Sequence, residues 1–329
     1  PVHTYAAVPF FVLFGVNPAA LRLMTVAGGA ATVILTCYWV RDLSSSRTTG
    51  WIAALLLAVH PSFIYYVRQG VHVSSLLALW LVAALWLLLR WRHSGNPRAL
   101  AGGVFLLGVG LTTKVLFAWV IVALAVIGAV STLAGLLRHH GLNSGWSSRR
   151  TLTALLAAAT FTAGCAPLVV YNLQTGGTLE ALARGALVSQ HGVDNTRYFA
   201  NLIARLDSFR LLLDGGHFWF LGGIPGTVLN PLAFAAALVV LAAGALRGPG
   251  RARQTAAAGF LVAFMALVLL QSPFTLSDIY PTHLFILLPI VAAAVAIAAQ
   301  VAGTFSPVAR RSALLGALLR EPVDGTDLG

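Results

Sequence analysis

The chain has 329 residues, 58% of them apolar and 9% charged, against roughly 25% charged in an ordinary soluble domain, which excludes a soluble globular enzyme. Its net charge of +12 comes from 20 arginines and a single lysine against nine acids. These charges are spread over the links between apolar runs, so they form no basic patch of the kind that binds nucleic acid. Cys37 and Cys165 both lie inside apolar runs and offer neither a disulfide framework nor metal-ligand spacing.

From the start, Tyr5 to Phe14 is an apolar stretch of about ten residues, short of the ~20 needed to cross a bilayer, and predicts an interfacial or re-entrant helix. Apolar runs between Arg-, Gly- or Pro-bearing breaks then predict spans near 18–41, 48–67, 70–90, 98–112, 115–137, 151–172, 227–246, 254–271 and 283–302. Residues 98–137 would make ~60 Å of continuous helix, twice the membrane thickness, so the chain must fold back, at Thr112-Thr113-Lys114. The polar stretch 173–226 is a long outer loop. Within it YFANLIARLDSFRLLL (198–213) follows a helical period, predicting a helix lying on the surface. The expected fold is an all-α polytopic membrane protein of about nine transmembrane helices over residues 1–302, with a cytoplasmic tail at 303–329. Neither a repeat nor an inverted pair of broken helices is visible.

Alternate links differ in basic content, as the positive-inside rule requires. One set holds 14 arginines: Arg41, Arg47, Arg90, Arg92, Arg98, Arg138, Arg149, Arg150, Arg247, Arg251, Arg253, Arg310, Arg311 and Arg320. The short links of the other set hold Arg22, Arg68 and Lys114. This asymmetry places the C-terminus in the cytoplasm, the loop 173–226 outside the plasma membrane and, with an odd number of spans, Pro1 outside. No signal-peptide pattern precedes the first span, and the expectation is that at least one further span lies before Pro1.

Chemically useful residues gather at the outer span ends. HPSFIYYVRQGVHVSS (60–75) carries Tyr66, Arg68 and His72, and Arg68 stands on the side from which basic residues are otherwise depleted. A lone arginine there serves as a snorkelling anchor or as a grip on an anionic headgroup. Lys114, the sole lysine, sits in the predicted turn and is the second candidate for a phosphate. VYNLQTGGTLE offers Asn172, Gly177 and Thr178 as substrate-binding candidates, although a Gly pair is also an ordinary helix stop. QSPFTLSDIYPTH adds Asp278 and His283, with Asp278 also in keeping with turn chemistry. Asp278 and Asp194 are the acids considered for a catalytic role. His139 and His140 lie in an arginine-bearing link and are expected to be solvated. No cofactor motif or convincing metal-ligand set appears, and divalent metal use stays open.

Taken together, VLFGVNPAALRL before a span, HPSFIYYVRQG ending the next, NPRALAGGVFLLGVGLTTK, and PLVVYNLQTGGT before a long outer loop resemble the multi-pass GT-C glycosyltransferases. The group most similar contains the protein O-mannosyltransferases and the aminoarabinose transferase. The resemblance covers roughly residues 1–180. It implies a polyprenyl-phosphate sugar donor and work on the outer or luminal face. It also implies an acidic general base in a first outer loop, of which the opening pattern at Pro1, His3 and Tyr5 is the end, so that the base would precede Pro1. Many members carry an Asp five residues after the counterpart of Arg68; this chain has Val73 there.

The resulting expectation is an inverting membrane glycosyltransferase that moves a sugar from a polyprenyl phosphate to an acceptor glycan, lipid or protein, with residues 1–329 inactive by themselves. Such a reaction needs a base for the acceptor, an oxocarbenium-like sugar and cations for the departing phosphate. The alternative is a transporter or flippase for an anionic lipid or solute. That reading predicts mid-span ionisable residues and repeat symmetry, whereas the ionisable residues here collect at span ends.

Overall fold

A computed structural model describes residues 2–138, 148–188, 193–217, 227–246, 252–275 and 280–303. Within them the chain is helical, and extended backbone pairs at one isolated antiparallel bridge between Val188 and Asp194. The short first segment is α1 (Val2–Phe14), which packs on α2 (Pro18–Ser44) through a small cluster of Ala7, Met24 and Leu76 with Phe10, Phe11 and Leu21 against it. Asn17 starts α2: its side-chain oxygen accepts from the Ala20 amide at 2.9 Å, and Pro18 follows at the first position, where its missing N–H costs nothing. Thr32 and Thr36, fully buried on α2, donate to the carbonyls of Gly28 and Thr32 at 2.8 and 2.7 Å, so both hydroxyls are satisfied within the helix.

Two predicted spans are broken, where none was expected. Helices α3 (Arg47–Ala58) and α4 (Pro61–Arg68) meet at 61°. The second break falls between α8 (Ser148–Gly164) and α9 (Ala166–Thr175), which meet at 69°. Each second half begins with a proline in its first turn, Pro61 and Pro167. Proline has no N–H to continue the ladder, and its ring crowds the preceding turn, so each apolar run bends there. Between these pairs run α5 (Ser74–Ser94) and α6 (Pro97–Thr113), then a 3-10 turn over Val115–Phe117 that leads into α7 (Ala118–Arg138). The predicted fold-back at Thr112-Thr113-Lys114 is therefore present. Gly110 permits it, because a side chain there would collide with the buried ring of Phe117.

The rest of the chain forms α10 (Gly177–Arg184), α11 (Tyr198–Asp214), α12 (Leu229–Leu246), α13 (Ala252–Gln271), α14 (Pro281–Leu284), a 3-10 turn at Phe285–Leu287 and α15 (Leu288–Gly303). Ala-rich α15 is the core helix: Ile290, Ala293, Ala294, Ala296 and Ile297 are fully buried, and the small alanine side chains let α3, α12 and α13 close around it. Among the described residues four helices are long and apolar enough to cross a membrane, or six if each bent pair is one span. The predicted spans at 98–112, 227–246 and 254–271 coincide with shorter apolar helices, so length and composition support four to six crossings. This is an all-helical, multi-pass membrane fold.

The two sets of links lie at opposite ends of the bundle. At the arginine-rich end α2 and α5 finish while α3 and α6 start. There Asp42 accepts from Arg41 and from the Trp86 indole, each at 2.9 Å, and Thr49 donates to Gln300 at 3.0 Å. Arg90 lies 5.2 Å over the Trp86 ring.

Candidate functional site

At the other end α2 begins, α4 finishes, α5 begins and α6 finishes, which collects Arg22, Arg68, His72 and Lys114 at one boundary. Lys114 caps α6 in extended conformation, its N–H donating to Gly110 at 3.0 Å, and its side chain is half-buried. Burial lowers the Lys114 ammonium below its ordinary range. His72 is lowered too, by burial first and then by the charge of Lys114. Both groups are thus held toward their neutral forms by burial, side by side at this end of the bundle.

Tyr66 is the hub of this end, 4% exposed. The His72 ring meets it edge-on at 5.2 Å, Tyr65 at 5.2 Å and Phe285 at 5.9 Å. His217, from the residues after α11, stacks on it at 5.4 Å with the rings 4° from parallel. His217 Nδ1 is 2.8 Å from the Leu211 carbonyl, which can only accept, so that nitrogen carries the hydrogen. Burial lowers this histidine, against the opposing pull of the Leu211 carbonyl and Asp214.

Helix α11 and the residues after it are thus seated on this end of the bundle, and further hydrogen bonds secure this part of the chain. Ser62 donates to the Leu212 carbonyl at 2.5 Å. Buried Asn195 donates to the Gly185, Ala186 and Thr275 carbonyls and accepts from the Thr275 amide, all between 3.1 and 3.2 Å.

Arg68 is exposed and faces a cleft of about 400 Å³ that it shares with Arg22, Val26, Tyr65 and Gln69. The arginine that shares this cleft with Arg68 is Arg22 of α2; Lys114 is instead the neighbour of His72. Neither Arg22 nor His217 was singled out in the sequence, though Arg22 carries the same signal as Arg68, a cation on the basic-depleted side.

Other candidates hold structure together. Asn172 donates to Leu168 at 2.8 Å and accepts from the Leu179 amide at 3.0 Å, stapling α9 to α10. The Gly177 amide donates to the Thr175 hydroxyl at 3.1 Å, and Thr178 is half-buried in the first turn of α10. His283 Nδ1 accepts from the Tyr280 amide at 3.2 Å at the start of α14. Asp194 accepts from the Thr196 hydroxyl at 2.5 Å and amide at 3.0 Å, and these bonds hold its carboxyl below the usual carboxylate range. Asp278, His139 and His140 lie outside the described residues. Among the described residues no three His, Cys, Asp or Glu side chains converge as metal ligands.

A multi-pass helical bundle with cationic and aromatic groups gathered at one end under a seated loop has the architecture of membrane-embedded GT-C glycosyltransferases. The chain belongs to the dolichyl-phosphate-mannose-protein mannosyltransferase family, whose model matches residues 1–171. Its fold is similar to the crystal structure of ArnT from Cupriavidus metallidurans bound to undecaprenyl phosphate, at TM-score 0.62 and 15% identity, covering 97% of this chain and 52% of that one. The apo structure of the same protein matches at TM-score 0.57 and 16% identity, covering 100% of this chain and 55% of that one. The chain therefore spans about half the length of these structures. No curated protein matches it in sequence.

Proposed function

We propose that the protein transfers a sugar from a polyprenyl-phosphate donor to an acceptor at the outer face of the membrane, with inversion. The observation that carries this reading is the pairing of half-buried Lys114 with His72 beside Tyr66, at the same end of the bundle as Arg68 and beneath the seated outer loop. Family membership and the likeness to a protein crystallised with undecaprenyl phosphate support the donor class.

In this reading Arg68 and Lys114 bind the donor phosphate from the same end of the bundle, Arg68 from the cleft it shares with Arg22 and Lys114 from beside His72. The guanidinium grips two oxygens through its planar fork, and the ammonium follows the charge that builds as the glycosidic bond breaks. His72, kept neutral, donates or accepts a hydrogen bond without adding a competing charge. Tyr66, buried beneath His217, holds the His72 ring in place for this contact.

The test is sugar transfer by the purified full-length protein from undecaprenyl-phosphate-linked sugars, read as release of undecaprenyl phosphate. Release that depends on an acceptor and falls at least tenfold in Lys114→Ala is expected. Folded protein that binds the donor but transports it between leaflets without cleaving the sugar-phosphate bond overturns the reading in favour of a flippase.

A further inference from the structure

The arginine-rich end of the bundle, remote from the proposed donor site, carries an array of cations and rings shared by two helices. Tyr38 of α2 and Trp86 of α5 stack across the helix interface, their centroids 5.8 Å apart and their planes 25° from parallel. Each ring is covered by a guanidinium from its own helix: Arg41 stands 5.0 Å over Tyr38 and Arg90 5.2 Å over Trp86. Asp42 locks the array, with Oδ1 accepting from Arg41 Nε and Oδ2 from the Trp86 indole, both at 2.9 Å. Helices α2 and α5 both finish at this end, and each arginine follows its ring by about one helical turn. The two cations therefore share one depth, just beyond the ring pair.

Charge and surface decide what fits there. Arg41 and Arg90 bring two positive charges and Asp42 one negative, so one positive charge is left over. Arg90 is exposed and has no carboxylate partner among the described residues. Lying over a ring commits only the face of a guanidinium; its N–H donors lie in the plane and stay open to an oxyanion. Toward the middle of the membrane the neighbouring surface of α2 is apolar, with Tyr38 41% exposed and Ile34, one turn before it on the same face, 55% exposed. A ligand that fits carries one negative charge at the bundle end and hydrocarbon along α2.

We propose that Tyr38, Arg41, Trp86 and Arg90 form a binding site for an anionic glycerophospholipid of the leaflet at the arginine-rich end. Its phosphodiester meets the guanidinium edges, and an acyl chain lies along Tyr38 and Ile34. The phosphodiester of phosphatidylglycerol supplies one negative charge and neutralises the array. The cation of a zwitterionic headgroup is repelled by Arg47, Arg92 and Arg98, all exposed at this end. A soluble phosphodiester meets the same arginines but leaves Ile34 and Tyr38 uncovered. The bound lipid bridges α2 and α5 and so stabilises their contact. This site stands apart from the proposed function, since it lies at the opposite end of the bundle from Arg68 and Lys114.

The test uses the full-length protein, delipidated in an uncharged detergent, and needs no turnover. Binding of phosphatidylglycerol, of phosphatidylcholine with the same acyl chains, and of the deacylated headgroup glycerophosphoglycerol is measured by native mass spectrometry and by the shift in thermal midpoint. Phosphatidylglycerol is expected to bind about tenfold tighter than the other two, the size of one charge-assisted contact. Arg90→Gln and Trp86→Leu should abolish the preference and Arg90→Lys should keep part of it. Arg98→Gln, which removes a cation of the same end that covers no ring, should leave it intact, as should Arg68→Ala at the other end. Equal binding of the two lipids, a preference retained in folded Arg90→Gln, or a loss as large in Arg98→Gln overturns the proposal. Glycerophosphoglycerol binding as tightly as phosphatidylglycerol overturns the lipid as occupant. Sugar transfer that persists alongside any of these results leaves the proposed function standing.

Discussion

Lys114 and Arg68 illustrate how position decides the chemistry of a charged side chain. At mid-membrane a lysine would cost ~2.5 to 3.5 kcal/mol on insertion scales; in the turn after α6 it is half-buried at the bundle end, where an anion can reach it. In the full-length protein, Arg68→Ala or Lys114→Ala is expected to reduce turnover at least tenfold, about 1.4 kcal/mol of transition-state stabilisation, with the thermal midpoint in detergent unchanged. Normal turnover in both variants would leave them as membrane anchors.

His72 supplies a second prediction at this scale. Its folded-state pKa is lowered, by burial first and by Lys114 second, so as pH falls the unfolded chain takes up the proton before the folded one. The stabilisation is therefore present above the ordinary imidazole value of about 6.5 and is lost as pH falls below it. The thermal midpoint should drop between pH 7.5 and 5.5, and the drop should shrink in His72→Gln and, in part, in Lys114→Met. An equal drop in all three proteins would assign it to other groups.

At the level of elements, glycines set how closely the helices approach. A Cβ at Gly108 of α6 would lie 2.5 Å from the Phe161 carbonyl oxygen of α8, and Gly164 faces the α6 backbone from the other side. This close crossing also brings Thr112 within 3.1 Å of the Gly164 carbonyl, its hydrogen-bond acceptor, and so fixes the last turn of α6 just before Lys114. Gly108→Val or Gly164→Val should destabilise the fold by about 1–3 kcal/mol through overpacking, with a lower thermal midpoint in detergent. Gly128→Ala on α7, where an added Cβ meets nothing within 4 Å, should not lower it. Equal midpoints for all variants would show that the α6–α8 crossing is not a packing constraint.

For the whole molecule, the two ends of the bundle differ in chemistry as they do in basic content. At the arginine-rich end Arg41 pairs with Asp42 and lies over Tyr38, and Arg90 lies over Trp86; at the opposite end Arg22 and Arg68 line a cleft, and His72 and His217 pack on Tyr66. With Cys37 and Cys165 replaced by alanine, a single cysteine at Ser94 and one at Leu187 should label from opposite sides of sealed vesicles, Ser94 from the cytoplasmic side. Labelling of both from one side would overturn this orientation.

Composition, run length and arginine spacing were sufficient for the class of fold, the hairpin turn at Lys114, helix α11 and the division of the bundle into two unlike ends, because hydrophobic length and charge cost in a bilayer are local properties of the chain. Arg68, Lys114, His72 and Tyr66 were legible as residues of one boundary for the same reason. Their partners were not. Arg22 stands beside Arg68, and His217 lies on Tyr66, across 46 and 151 positions of sequence. The bends at Pro61 and Pro167 also divide runs that hydropathy alone presents as continuous. Which cations share a cleft, and which are already satisfied, depends on glycine-spaced helix crossings and on a loop folded back over the bundle, and those long-range placements exist only in the tertiary structure.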